Sequence, residues 1–176
     1  MNPDISIWLK PERSQLNELQ KTVSLLSHAY GANPFAPHIT IYHLGNALNV
    51  PDVILKTQEV IRNAKKFSIR TVGLKYSDEF TKTLYIQLEK SEELKALHDK
   101  FKLKFTSICG YELNPHLSLI YKNNLSEMEK EKAIRKIKYP PVLNICSISI
   151  ITKSGSSIST EKDVLEWKEA YEVSLL

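Results

Sequence analysis

The chain has 176 residues, of which 42% are hydrophobic and 25% charged, and a formal net charge of +4 at pH 7. This size allows one domain with a core of its own, and the lack of any run of about 18 apolar residues excludes a membrane-spanning helix. The mild positive charge suits a ligand that carries phosphate but does not require one.

The N-terminal residues have no basic region followed by a long apolar run, so we expect no secretory signal. Cys109 and Cys146 lack the spacing of a metal site. Without an export signal, we expect both to be reduced thiols in a cytoplasmic protein. The sequence leaves a disulfide between these two cysteines open.

The first half of the chain predicts two strands and two helices. In order, these are a strand over 5–11, a helix over 12–30, a strand over 38–44 and a helix over 51–64. Alternating apolar residues indicate the strands, and apolar residues at helical spacing indicate the helices. Gly31 is a typical stop for the first helix, and Pro51 is tolerated in the first turn of the second.

The second half predicts a larger share of strand. In order, we expect an antiparallel pair of strands over 67–76 and 82–89, a helix over 91–105, a strand over 116–121, a helix over 126–138, and strands over 142–152 and 164–175. Ser126 and Glu129 form a capping box at the start of the last helix. Strands that mostly form hairpins, with helices on one side, predict an α+β fold. No linker divides the chain, so we expect a single domain over 1–176.

One short phrase occurs twice in the chain. It reads Pro-His-Ile-Thr-Ile around His38 and Thr40, and Pro-His-Leu-Ser-Leu around His116 and Ser118. Side chains at positions i and i+2 of a strand share a face, so each histidine points the same way as its hydroxyl residue. The apolar residues between them point the other way, under the helices. If the two strands adjoin or face each other across a groove, two imidazoles converge.

Two imidazoles suit the hydrolysis of a phosphodiester. An unperturbed pKa of about 6.5 allows one ring to be neutral while the other is protonated near neutral pH. The neutral ring can take a proton from the attacking water, and the charged ring can give one to the leaving oxygen. The hydroxyls of Thr40 and Ser118 can hold the phosphate oxygens on which negative charge builds.

Other chemistries have less support in the sequence. Either phrase alone is compatible with an ordinary hydrogen-bonded polar pair. A zinc site from His38, His43 and His116 is disfavoured, because alternation places His43 opposite to His38 and no HExxH motif or cysteine pair is present. No GxSxG elbow of a Ser-His-Asp hydrolase occurs. His28 and His98 fall on predicted helices, where we expect ordinary roles. We therefore expect no metal and no other cofactor.

At these residues the sequence resembles the two-histidine (2H) phosphoesterases, and among them the plant and yeast-type cyclic phosphodiesterases. The first strand with Trp8, both histidine phrases, the helix start at Ser126 and the closing strand with Trp167 are similar to that branch. The resemblance covers nearly the whole chain and is weakest over 50–110. It implies a bilobal molecule with two pseudo-symmetric lobes. Each lobe has an antiparallel sheet with helices on its outer face, and the active-site cleft lies between the lobes.

The resemblance also implies an activity, the metal-independent opening of ribose cyclic phosphates to monophosphates. The substrates would be ADP-ribose 1'',2''-cyclic phosphate and nucleoside 2',3'-cyclic phosphates. The catalytic motif positions correspond to His38, Thr40, His116 and Ser118. The branch places aromatic residues that match Tyr121, Trp8 and Trp167 near the base, the sugar or the cleft, which makes these three the candidate substrate-binding residues.

The residues themselves leave the aromatic assignments open. Strict alternation places Tyr121 on the opposite face from His116, so Tyr121 reaches the cleft only if the strand ends or bulges after Leu119. Trp8 and Trp167 would fit a hydrophobic core equally well. The plant-type members carry extra cysteines in disulfides, and with only two cysteines here we carry over no redox control.

Two alternative functions remain open. One is an RNA-end or 2',5'-linkage phosphoesterase of the same fold, for which a more strongly basic groove would be expected. The other is a non-catalytic nucleotide- or RNA-binding module, for which one phrase should have lost its histidine or hydroxyl. We expect a monomer whose partner is a small cyclic nucleotide or ADP-ribose cyclic phosphate, with RNA ends as the alternative ligand and no membrane.

Overall fold

The computed structural model describes residues 2–105, 111–155 and 158–176. The elements in chain order are β1 (Asp4–Pro11), α1 (Arg13–Tyr30), β2 (Ile39–Gly45), α2 (Val50–Ile61), β3 (Phe67–Tyr76), β4 (Leu84–Leu88), α3 (Glu92–Lys104), β5 (His116–Ile120), α4 (Glu127–Ile134), β6 (Val142–Lys153) and β7 (Lys168–Ser174). Short 3₁₀ turns occupy Phe80–Lys82 and Asp163–Glu166. In the described part of the chain, no helix combines the length and hydrophobicity needed to cross a membrane.

All the strands are antiparallel neighbours in one sheet, whose order is β1-β2-β5-β4-β3-β6-β7. A further pairing of β1 with β6 closes the first six strands into a ring. The long strand β6 makes this closure possible. It pairs with β1 along one edge, while its other edge pairs first with β3 and then with β7.

The ring divides into two lobes, which confirms the predicted α+β bilobal class. One lobe contains β7, β6, β1 and β2, and the other contains β3, β4 and β5. The lobes meet where Ile39 of β2 lies opposite Leu117 of β5 and where β3 pairs with β6. Helix α1 packs against β5, and α3 packs against β2. Each half of the chain therefore contributes a helix that covers a strand of the other half.

The helix ends follow the signals in the sequence. Gly31 ends α1 with a φ of 63°, the left-handed conformation that favours glycine. The side chain of Ser91 accepts the backbone N–H of Leu94 at the start of α3. Ser126 and Glu129 form the predicted capping box of α4. These caps satisfy N–H and C=O groups that a helix terminus leaves without partners.

Two predicted boundaries differ most from the structure. The last helix ends at Ile134 rather than near Lys138, because Lys136 and Ile137 bond to carbonyls three residues earlier and tighten the chain before the two prolines. The closing strand begins at Lys168 rather than at 164. The carboxylate of Asp163 accepts the backbone N–H groups of residues 159 and 160, which fixes a 3₁₀ turn ahead of the strand.

Candidate active site

A cleft of about 360 Å³ lies where β2 and β5 adjoin. His38 directly precedes β2, and His116 is the first residue of β5. Both histidines line this cleft, together with Thr40. The structure therefore brings the two phrases to one place, as the repeat predicts. The apolar residues between them, Ile39 and Leu117, are fully buried on the opposite face, in the hydrophobic core.

The two imidazoles are held in the same way. The Nδ1 atom of His38 lies 2.7 Å from the carbonyl oxygen of Ala36, and the Nδ1 atom of His116 lies 2.7 Å from that of Asn114. A carbonyl only accepts, so Nδ1 carries a proton in both rings. In a neutral ring the Nε2 atom is then the free acceptor, and it is the atom at which each histidine can exchange a proton.

The antiparallel register crosses the two phrases. Ile39 lies opposite Leu117. Since the strands run in opposite directions, His38 falls beside Ser118 and Thr40 falls beside His116. Each imidazole is therefore next to the hydroxyl residue of the other phrase as well as two positions from its own.

The surroundings of the two rings differ. His38 is 6% exposed and stacks on Trp8, with ring centroids 3.4 Å apart and planes 7° from parallel. Burial, helped by the charges of His116 and Lys10, lowers the pKa of His38 to about 3. Burial also lowers the pKa of His116, and Lys82 adds to that effect while Glu79 opposes it. Without a ligand, both rings are thus biased toward the neutral form.

The two hydroxyl residues also differ. Thr40 lines the cleft. Ser118 is 3% exposed, and its Oγ donates to the backbone oxygen of Thr81 at 2.6 Å. The Ser118 hydroxyl therefore ties β5 to the turn before β4, while Thr40 lines the same cleft as the two imidazoles.

A bulge in β5 brings Tyr121 to the cleft. Tyr85 lies opposite Ser118, but Leu84 lies opposite Ile120, so Leu119 is an extra residue in the pairing. The extra residue reverses the alternation, and the strand ends at Ile120. Tyr121 accordingly lines the same cleft as His116.

A matching bulge in β2 brings His43 to the cleft. Trp8 lies opposite Thr40 and Ser6 lies opposite His43, so Ile41 is the extra residue between them. The expectation that His43 faces away from His38 is therefore wrong, because strict alternation does not continue through a bulge. His43 follows its motif histidine by five residues, as Tyr121 follows His116. That shared offset is the signal from which the sequence could have identified His43.

An aromatic cluster surrounds His38. Trp8 and Tyr121 are 4% and 5% exposed, and Tyr121 stacks on Phe35 with centroids 4.3 Å apart. Trp167 is partly exposed and meets His38 edge-on at 5.4 Å. All three aromatic candidates thus line the cleft, but the faces of Trp8 and Tyr121 are largely covered. The sequence did not single out Phe35, which completes the cluster.

Among the described residues, no group of three or more histidine, cysteine, aspartate or glutamate side chains is arranged to hold a metal ion. Cys146 forms no disulfide with any described residue. Cys109 lies outside the described residues, so the pairing of the two cysteines stays a prediction.

The sequence profile of the 2'-5' RNA ligase superfamily matches residues 4–156. A 2',3'-cyclic-nucleotide 3'-phosphodiesterase from Phaeosphaeria nodorum is 30% identical over 162 residues, covering 73% of this chain and 77% of the relative. The structure of TT0787 of Thermus thermophilus has a TM-score of 0.66 at 14% identity and covers 98% of this chain and 97% of that chain. E. coli LigT complexed with 3'-AMP has a TM-score of 0.62 at 11% identity over 99% of each chain. At these identities the solved structures support the fold alone.

Proposed function

The chain belongs to the 2'-5' RNA ligase superfamily, the two-histidine phosphoesterases, and we propose that it hydrolyses ribose cyclic phosphates to monophosphates. It is by class a cyclic phosphodiesterase, and nucleoside 2',3'-cyclic phosphates are the first substrates to test. The observation that carries the proposal is the pair of imidazoles in one cleft, each with Nδ1 bonded to a backbone carbonyl and Nε2 left for proton transfer.

The proposed reaction uses both imidazoles once. Water attacks the phosphorus atom and gives its proton to the Nε2 atom of one ring. The bond from phosphorus to one ribose oxygen breaks, and that oxygen takes a proton from the Nε2 atom of the other ring. The product is a ribose monophosphate with one free hydroxyl, and one proton has moved from one ring to the other. Return of that proton through solvent restores the enzyme. His38 and His116 supply both steps without a metal.

The remaining candidate residues have supporting roles in this proposal. Thr40 faces the reacting phosphate and donates to a non-bridging oxygen, and Ser118 does so if it releases the carbonyl of Thr81. Trp8 stacks on the imidazole of His38 and fixes its orientation. The face of the Trp8 ring stabilises the His38 imidazole when that imidazole is protonated. Trp167 presents exposed surface on which a base can stack, while Tyr121 supports the wall of the same region.

Two observations support a small nucleotide, rather than long RNA, as the ligand of this cleft. The relative from Phaeosphaeria nodorum is named for 2',3'-cyclic nucleotides, and the E. coli protein was crystallised with 3'-AMP. In the described part of the cleft, the charged lining consists of Lys82 with Glu79 and Glu112, apart from the histidines. This mixed lining lacks the basic groove expected for long RNA. All these residues come from one chain, and we propose that a monomer suffices for activity.

A substrate panel with EDTA present tests the proposal. The panel contains the four nucleoside 2',3'-cyclic phosphates, ADP-ribose 1'',2''-cyclic phosphate and a short 2',5'-linked RNA. We expect turnover of at least one cyclic phosphate at a rate unchanged by EDTA, and loss of that turnover in His116→Ala. Turnover that EDTA abolishes would contradict the two-histidine mechanism. Cleavage of the RNA alone would favour the RNA-end alternative.

A further inference from the structure

The 3₁₀ turn before β4 forms one wall of the cleft. Glu79, Thr81 and Lys82 from this segment all line the cleft. The backbone oxygen of Thr81 accepts the hydroxyl proton of Ser118 at 2.6 Å. Ser118 belongs to the same phrase as His116, so the turn lies beside the second histidine.

Hydrogen bonds at both ends hold this turn in place. The hydroxyl of Thr83 lies 2.9 Å from the backbone oxygen of Phe80 and 3.0 Å from that of Lys122, which follows β5. The hydroxyl of Ser77 donates to the backbone oxygen of Lys82 at 2.9 Å. The backbone that carries the Lys82 side chain is therefore fixed relative to β5.

Lys82 brings a positive charge to this wall. Its Nζ atom lies 2.8 Å from the Oε2 atom of Glu79, and the Oε1 atom of Glu79 accepts the hydroxyl proton of Thr81 at 3.0 Å. An ammonium group has three N–H donors, and Glu79 is the only described residue that accepts one of them. Lys82 can therefore bond to a ligand without breaking its ion pair.

The hydroxyl of Ser118 is not free in the same way. It has a single proton, which it donates to the buried turn. Of the two hydroxyl residues in the histidine phrases, Thr40 alone lines the cleft in the described structure. A second donor to the phosphate must then come from a neighbouring group, and Lys82 directly follows the residue to which Ser118 is bonded.

The phosphate gains negative charge in the proposed reaction. A cyclic phosphodiester carries a single negative charge, whereas a phosphate monoester carries about 1.5 to 2 at pH 7. A positive group fixed beside the phosphorus therefore stabilises the transition state more than the substrate. Lys82 is the only lysine or arginine among the described residues that line the cleft. Burial lowers the pKa of the nearby His116, and the charge of Lys82 adds to that effect.

We propose that Lys82 is a further catalytic residue, which donates to a non-bridging oxygen of the reacting phosphate and stabilises the charge that develops there. This rests on the proposed function of the same cleft. Lys82 supplies the donor that the second phrase withholds while Ser118 is bonded to Thr81.

The test measures the pH profile of kcat/KM on the best cyclic phosphate for the wild type and three Lys82 variants. Lys82→Met should lower the limiting kcat/KM of the fitted profile about 10- to 100-fold, the worth of one hydrogen bond between charged groups. Lys82→Arg should recover part of this loss, because it restores a charged donor. Lys82→Gln, a neutral donor, should fall between Met and Arg.

A second readout is inhibition by the monophosphate product, which carries the larger charge. Its inhibition constant should rise in Lys82→Met and in Lys82→Gln, and least in Lys82→Arg. The matched control is Lys21→Met on the exposed face of α1. Lys21 forms the same kind of ion pair with a glutamate three residues earlier, at 2.7 Å from Glu18. The control should keep both wild-type values.

The pH profile separates contact with the phosphate from an effect on His116 alone. Loss of the Lys82 charge should raise the pKa of His116, which moves one limb toward higher pH. A moved limb with an unchanged limiting value and unchanged product inhibition would overturn the proposal. Equal losses in Lys82→Arg and Lys82→Gln would also overturn it, and this comparison stands even if Lys82→Met does not fold. A wild type that hydrolyses no cyclic phosphate would instead overturn the proposed function.

Discussion

The two histidine phrases begin alike and end in different surroundings. Each imidazole hydrogen-bonds through Nδ1 to the carbonyl two residues before it, and each phrase ends in a bulge that turns a later side chain into the cleft. Yet His38 is buried on the face of Trp8, whereas His116 is partly exposed beside Lys82 and Glu79. The backbone geometry is therefore the same around both histidines, but the surroundings of the two imidazoles differ. Such a pair can perform two unlike proton transfers, because chemically identical side chains acquire different affinities for protons.

Removal of either imidazole should have the largest effect on activity. His38→Ala and His116→Ala should each lower kcat/KM by about 10²–10⁴, the usual contribution of one positioned acid or base. The double variant should lose less than the product of the two effects, since the rings act as a unit. Steady-state kinetics on the best substrate measures this, with His28→Ala as the control. Near-normal activity in either single variant would remove that histidine from the mechanism.

Substitutions at the two hydroxyl residues, Thr40 and Ser118, should affect different properties of the protein. Thr40→Ala should lower kcat by about 10–10³, as for loss of one donor to a charged oxygen, with little change in stability. Ser118→Ala should instead cost about 0.5–1.5 kcal/mol of unfolding free energy, because it removes the hydrogen bond from the buried Ser118 hydroxyl to the backbone oxygen of Thr81. Denaturant unfolding and kinetics on both variants separate the roles. Equal kinetic losses with unchanged stability would show that Ser118 and Thr40 act alike.

The aromatic side chains can be compared in the same manner. Trp167→Ala should raise KM by an amount equivalent to about 1–3 kcal/mol, the worth of stacking one base on an aromatic ring. Tyr121→Ala should mainly lower stability, since Phe35 covers its ring. The prediction is checked by KM and melting temperature for each variant. A larger effect of Tyr121→Ala on KM would transfer the stacking role to Tyr121.

The buried state of His38 also has a consequence for pH. Its pKa is lowered to about 3 in the folded protein, while an unfolded chain has a value near 6.5. The unfolded chain therefore binds the extra proton first, and His38 costs about 1.4 kcal/mol of stability per pH unit as pH falls from 6.5 toward 3. Above pH 6.5 the effect is absent. Unfolding free energies at pH 7 and pH 5 should diverge less in His38→Gln than in the wild type. An unchanged difference would mean that His38 titrates normally.

The lowered pKa values of His38 and His116 also affect the pH dependence of activity. Normal imidazoles would place the limbs of kcat/KM on either side of the range from about pH 6 to 8. With both pKa values lowered in the free enzyme, we expect both limbs to shift toward acid. A pH–rate profile on the wild type measures this shift. The limbs belong to the coupled pair rather than to one ring.

Much of this protein could be predicted from local patterns. Alternation and helical spacing located every strand and α-helix of the described chain, and capping residues such as Ser91 and Ser126 located helix starts. The repeated phrase was sufficient to predict that His38 and His116 line one cleft. These features depend on near neighbours in the chain, because a strand or a cap is defined over a few residues.

The tertiary structure alone decided which later residues reach the cleft and how each histidine is buried. The extra residues Ile41 and Leu119 become bulges only against a partner strand, so local alternation misplaced His43 and left Tyr121 open. The burial of His38 depends on Trp8, which belongs to β1 and is 30 residues away in the chain. Pairing register and burial arise from contacts between distant segments, and a period read along one segment carries no information about them.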